Sequence, residues 1–163
     1  MIKKTLLQIW RELPGPFQVL IVRIARPRYR VAVAAIILDD QKRILLCEHT
    51  YRKFYPWGLP GGGLEYGESP ELGIKREVWE ETGFDVSVEK LLLAESSKEF
   101  HHVSLIYLCT VVGGSFKPNL ETSQAKFFSI DNLPHLLNTE SRLIQRVADQ
   151  LSLSELVNHD RLA

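Results

Sequence analysis

Glu77, Glu80 and Glu81 sit at i, i+3 and i+4 in the run Arg76-Glu77-Val78-Trp79-Glu80-Glu81. On an α-helix, which turns about 100° per residue, those three positions share one face. Like charges at this spacing repel unless a cation lies among them. Oxygen-only donors suit a hard divalent ion, Mg²⁺ first and Mn²⁺ as its substitute. Such an ion would lower the pKa of bound water. The spacing by itself proposes a divalent-metal site.

The helix that carries these residues can be read from its punctuation. Ser69 is the expected N-cap, Pro70 the first helical residue and Gly83 the C-cap. Ile74 and Val78 flank the carboxylates on one side, Leu72 and Trp79 on the other, leaving two polar faces. One polar face belongs to solvent. The carboxylate face, with Gly73 one turn earlier, is the candidate for a ligand. Immediately upstream lies Pro60-Gly61-Gly62-Gly63, read as a turn rather than strand interior.

The pattern Gly62-x5-Glu68-x7-Arg76-Glu77-Val78-x-Glu80-Glu81-x-Gly83-Phe84 resembles the complete signature of the Nudix hydrolase superfamily. The resemblance implies an α/β fold: an α/β/α sandwich with a mixed sheet and a loop-helix element, here with an N-terminal helical extension. It implies cleavage of a diphosphate bond in a nucleoside diphosphate linked to another moiety, with ADP-ribose or a nucleotide sugar as the first expectation. A nucleoside triphosphate pyrophosphohydrolase, an RNA 5′-pyrophosphohydrolase and a non-catalytic nucleotide sensor are the alternatives. By the same resemblance Glu77, Glu80 and Glu81 bind metal, the Gly61 carbonyl completes the shell, and Arg76 pairs with Glu68 to brace the loop. The general base is left open among Glu80, Glu81, Glu99 and Glu121. Arg30, Arg52 and Tyr55 are candidate substrate contacts, from cations and aromatics ahead of the glycines.

The remaining chain must position this element. Tyr29–Leu38 reads as a buried strand, Asp39–Lys42 as a hairpin turn and Arg43–Glu48 as the return strand. Trp57–Leu59 is a short strand. Val86–Ala94 pairs with His102–Val112, and Ala125–Ile130 is a further strand. Leu143, Ile144, Val147 and Leu151 mark a C-terminal helix. His49, His101 and His102 are expected at loop edges.

Composition sets bounds. The 163 residues are 45% hydrophobic and 25% charged, ordinary for one globular domain. No apolar run reaches the length of a membrane span. Cys47 and Cys109 read as buried thiols, and the expected compartment is the cytoplasm. Charge is uneven within a zero total: residues 1–30 carry seven basic side chains against Glu12, a net +6, so the rest carries −6. Residues 1–28 are read as an extension and 29–163 as the hydrolase domain. Leu6, Leu7, Ile9, Trp10 and Leu13 predict an amphipathic helix, and Phe17–Ile24 a second apolar helix or strand. This basic, apolar segment is expected to pack on the acidic domain or on a partner subunit in a homodimer. No stable nucleic-acid or membrane partner is expected, with a weak contact of the basic N-terminus to anionic lipid or nucleic acid kept as the alternative, and the substrate is a small nucleotide-type molecule.

Overall fold

The computed structural model describes residues 2–25, 28–97 and 101–159, with side chains described from Leu7 to Gln150 within those spans, Ser97 excepted. Two helices come first, α1 (Ile2–Glu12) and α2 (Gly15–Ala25). Then follow β1 (Arg30–Ile37), β2 (Ile44–His49), β3 (Trp57–Gly58), β4 (Gly61–Gly63) and α3 (Pro70–Thr82). The chain continues through β5 (Phe84–Ser97), β6 (His102–Gly114), β7 (Thr122–Phe128) and α4 (Asn138–His159).

The strands form two sheets. One is mixed, in the order β4-β1-β6-β5, with β1 parallel to β6. The other is antiparallel, in the order β3-β2-β7. Successive β1 residues point to opposite sides, and both sides are buried. Val33, Ala35 and Ile37 join Ile74 and Val78 of α3 in one core. Ile36 joins Ile144 and Val147 of α4 in the other. Helices therefore cover both faces, which is the expected mixed α/β sandwich.

Two expectations change. Asp39–Lys42 does turn the chain, held by Asp39 accepting from the Arg43 backbone at 2.8 Å. Yet β1 and β2 do not form a ladder; a single bridge, Leu38 with Ile44, joins them before they diverge into separate sheets. The glycine run is also not simply a turn. Gly61, Gly62 and Gly63 pair antiparallel with Ala34, Val33 and Ala32. Glycine is required there because the edge strand lies so close to its neighbours. A Cβ on Gly61, whose φ is 150°, would overlap the Val33 carbonyl, and one on Gly62 would overlap the Glu77 carboxylate.

Both N-terminal runs are helical, and Phe17–Ile24 resolves as helix. Gln18 Nε2 donates to the Trp10 and Leu13 carbonyls at 2.8 and 3.0 Å, joining α1 to α2. The domain does not cover the pair: Leu7, Ile9, Phe17, Val19, Leu20, Ile21, Val22 and Ile24 are all exposed. Of the two expected packings, on the acidic domain or on a partner subunit, the first is not seen among the described residues.

Candidate active site

Helix α3 begins and ends as its sequence predicts. Ser69 caps it, accepting from the Leu72 N–H at 3.4 Å, and Gly83 closes it at φ 76° in the left-handed region. Its buried side is Gly73, Ile74, Val78, Glu81 and Thr82, while Leu72 and Trp79 are exposed. Gly73 faces the loop rather than open space: a Cβ there would meet Leu64 and lie 2.9 Å from a Glu68 carboxylate oxygen. Close loop packing accounts for the missing side chain.

The three glutamates differ sharply in environment. Glu81 is buried and Glu77 is nearly so, with a side chain 14% exposed, whereas that of Glu80 is 51% exposed. The Gly61 N–H donates to Glu81 Oε2 at 2.8 Å. The other Glu81 oxygen lies 3.5 Å from His49 Nδ1, which is also 3.3 Å from the Tyr51 hydroxyl. His49 is thus a buried member of the site, not the loop-edge residue expected. Its place at the end of an apolar strand, where β2 still faces the core, was the available signal.

Arg76 is the hub of the loop. Its Nε and one terminal nitrogen grip both Glu68 oxygens, each at 3.0 Å, a bidentate arrangement. That terminal nitrogen also donates to the Gly63 carbonyl at 3.0 Å. The other reaches Glu77 at 2.9 Å and Glu80 at 3.3 Å. One guanidinium therefore ties the strand edge, the loop and two carboxylates together.

Electrostatics follow from burial and crowding. Burial pushes the Glu81 carboxyl up to about 8, with the Gly61 N–H pulling the other way and the charges of Glu77 and Glu121 adding to the rise. Glu77 is also raised, by burial first and by Glu80 and Glu121 after it, against Arg76. Burial and the Arg52 charge push His49 down to about 4, so its imidazole is neutral. Glu68 is lowered by its Arg76 hydrogen bond. Burial raises Cys47 far above the usual thiol range and Cys109 to about 12, so both are inert buried thiols.

A second loop closes the site. Asn119 Nδ2 donates to the carbonyls of Glu80 at 2.7 Å and Glu81 at 3.1 Å. Asn119 Oδ1 accepts from the N–H groups of Glu121 at 2.9 Å and Thr122 at 2.8 Å. This amide fastens Glu121 to the end of α3, close enough for its charge to act on Glu77 and Glu81. No spacing in the sequence identifies Asn119, because its partners are backbone groups of a distant helix.

The other expected residues separate. Arg52 is engaged by Glu140 of α4 at 3.1 and 3.2 Å. Tyr55 is exposed on the loop after β2, with φ 56°. Arg30 opens β1 at the surface, its N–H donating to the His101 carbonyl at 3.0 Å. His101 is exposed. Glu99 lies outside the described residues.

The donor chemistry fits a hard divalent cation. The charge of Glu77 raises the proton affinity of Glu81, and those of Glu80 and Glu121 raise that of Glu77, which a cation would relieve. The glycine at 62 leaves room for the Glu77 carboxylate. Among the described residues no three His, Cys, Asp or Glu side chains already converge at ligand distance. Arg76 holds Glu77 and Glu80, so binding would redistribute those contacts.

Comparison with known proteins agrees with this geometry. An ADP-ribose pyrophosphatase of Methanocaldococcus jannaschii is 37% identical over 120 residues, covering 71% of this chain and 70% of that protein. The crystal structure of a UDP-X diphosphatase superposes with a TM-score of 0.66 at 28% identity, covering 85% of this chain and 73% of that one. An ADP-ribose pyrophosphatase from Streptococcus suis gives 0.62 at 28% identity, covering 76% and 92%. The NUDIX domain profile matches residues 28–148. With its signature helix, braced loop and carboxylates in place, the chain belongs to the NUDIX family and is a pyrophosphohydrolase of diphosphate bonds.

Proposed function

We propose that the protein cleaves the diphosphate of a nucleoside diphosphate joined to a sugar, of the ADP-ribose or nucleotide-sugar type. The observation that carries the reaction is the crowding of Glu77 and Glu81 beside the glycine strand, under the charge of Glu121. The substrate class rests on similarity to an ADP-ribose pyrophosphatase and a UDP-X diphosphatase.

In this reading Glu77, Glu80 and Glu81 hold Mg²⁺, with Mn²⁺ as its substitute, and the Gly61 carbonyl completes the donor set. When bound, the ion supplies charge neutralisation at the phosphates and lowers the pKa of water. Arg76 and Glu68 keep the loop against the strand edge and do not touch substrate. Glu121 takes the proton of the attacking water on its carboxylate, since Asn119 fixes its backbone beside the carboxylates. His49 keeps Glu81 in its buried pose. Exposed Tyr55 and Arg30 remain candidate contacts to the nucleotide. Residues 1–28 are an appended element and 29–163 the hydrolase domain, in a cytoplasmic protein.

The test is turnover on ADP-ribose, UDP-sugars, nucleoside triphosphates and 5′-triphosphate RNA with Mg²⁺ or Mn²⁺. The expected result is a nucleoside monophosphate released from a nucleoside diphosphate sugar. Release of pyrophosphate from nucleoside triphosphates alone would assign the site to that alternative class.

A further inference from the structure

We propose that the α1–α2 pair is a docking element for an anionic phospholipid surface, which seats the enzyme on a membrane interface without crossing it. The inference starts from what α2 exposes. Gln18 reaches the α1 backbone, which fixes the side of α2 that meets α1. At about 100° per residue, Phe17, Leu20, Ile21 and Ile24 share one face of α2, centred about 110° from Gln18 and so turned aside from the α1 contact. They are 56%, 51%, 43% and 75% exposed, so this apolar face lacks a cover among the described residues. Contiguous exposed apolar surface of this kind marks an interaction site.

Charge decides the occupant. Residues 1–30 carry a net +6 and the rest of the chain −6. A symmetric dimer through the α2 faces would bring two such basic segments together. The acidic body of a second copy would also meet the charge, in a closed exchanged dimer or an open chain, and the sedimentation arm of the test below separates that occupant from lipid. An anionic lipid surface satisfies the apolar face and the positive charge at once. Trp10, half-buried on α1, is of the residue type enriched at membrane–water interfaces.

Length sets the depth. Helix α2 has 11 residues, about 16 Å, against a hydrocarbon core of about 30 Å. Among the described residues no helix is long and apolar enough to span a bilayer. The pair therefore lies in the interface, with its apolar face in the acyl boundary and Arg11 and Arg23 at headgroup level.

The test uses the full chain in flotation with vesicles of phosphatidylcholine, with and without phosphatidylglycerol. Binding is expected only to the anionic vesicles and falls several-fold as salt screens the basic residues. Leu20→Glu and Ile24→Glu, both surface changes, should each weaken partitioning by about tenfold. Turnover of a soluble nucleotide sugar by both variants should stay within about twofold. Three results would overturn the proposal: no binding to anionic vesicles, equal binding by the variants, or sedimentation as a dimer that either variant dissociates. RNA binding unaffected by the variants, with no vesicle binding, would reassign the basic segment to nucleic acid.

Discussion

Glu81 is where burial and catalysis meet. Its neighbours could be guessed only in part from sequence. The helical spacing gives the shared carboxylate face, but spacing is blind to the depth of each member. Glu81 is buried because it follows Val78 around the core side of α3, and Glu80 is half-exposed because it turns away. Glu81→Gln should therefore lower kcat by at least about a hundredfold while the fold persists; wild-type turnover with an unchanged metal titration would remove Glu81 from the reaction. The pH dependence has a defined sign. A carboxyl raised from 4.5 to about 8 stabilises the fold below its unfolded pKa and loses that contribution as pH climbs through 8. His49, lowered from 6.5 to about 4, acts in the opposite sense but contributes nothing further above pH 6.5. Between pH 6.5 and 8, metal-free protein should lose on the order of 1 kcal/mol through Glu81, seen as a Tm lower by a few degrees. Added Mg²⁺ should reverse the loss, because it favours the ionised carboxylate. An identical pH slope in Glu81→Gln, measured in chelator, would show that another group is responsible. Arg76→Ala should cost about 2 kcal/mol of stability through its charged hydrogen bonds and weaken metal binding with it. A normal Tm combined with a selective rise in KM would instead place Arg76 on the substrate.

At the scale of elements, helices were more legible than strands. Ser69, Pro70 and Gly83 mark both ends of α3, since capping is a local interaction and leaves a local trace. Strand partners are chosen across the chain and leave none. The Asp39 turn reads correctly, but nothing in Tyr29–Glu48 tells that β1 pairs with β6 and β2 with β7. The same limit hid β4, because three glycines have low strand propensity and pair only through the approach of Val33 and Glu77. Gly62 offers the sharpest test of that approach. Its backbone needs no special φ, so Gly62→Ala introduces only a methyl group against the Glu77 carboxylate. Metal affinity should fall at least tenfold in isothermal titration while far-ultraviolet circular dichroism is retained. Wild-type affinity would show that Glu77 moves aside without cost.

For the whole molecule, the question is how independent the N-terminal pair is of the hydrolase domain. The sequence displayed its amphipathic spacing and its basic excess, because both are properties of a segment alone. Its position was not legible, because packing on the domain depends on whether that surface offers an apolar complement. In the domain α3 and α4 close the two cores, and the ion pair of Arg146 with Glu95 fastens α4 to β5, while the apolar side chains of α1 and α2 stay exposed. What remains for α1 and α2 is solvent or a separate surface. The carboxylates, Arg76, His49 and Glu121 all lie downstream, and their hydrogen bonds stay within residues 49–122. A chain starting at Tyr29 retains β1 whole, including the pairing of Arg30 with His102 that begins the parallel ladder. It should turn over substrate within about twofold of the full chain and gain solubility, since exposed Phe17, Leu20 and Ile24 are removed. Steady-state kinetics and sedimentation velocity on both chains check this. Loss of turnover in a shortened protein with a native circular dichroism spectrum would mean that α1 and α2 complete the substrate site, and that the hydrolase domain begins before residue 29.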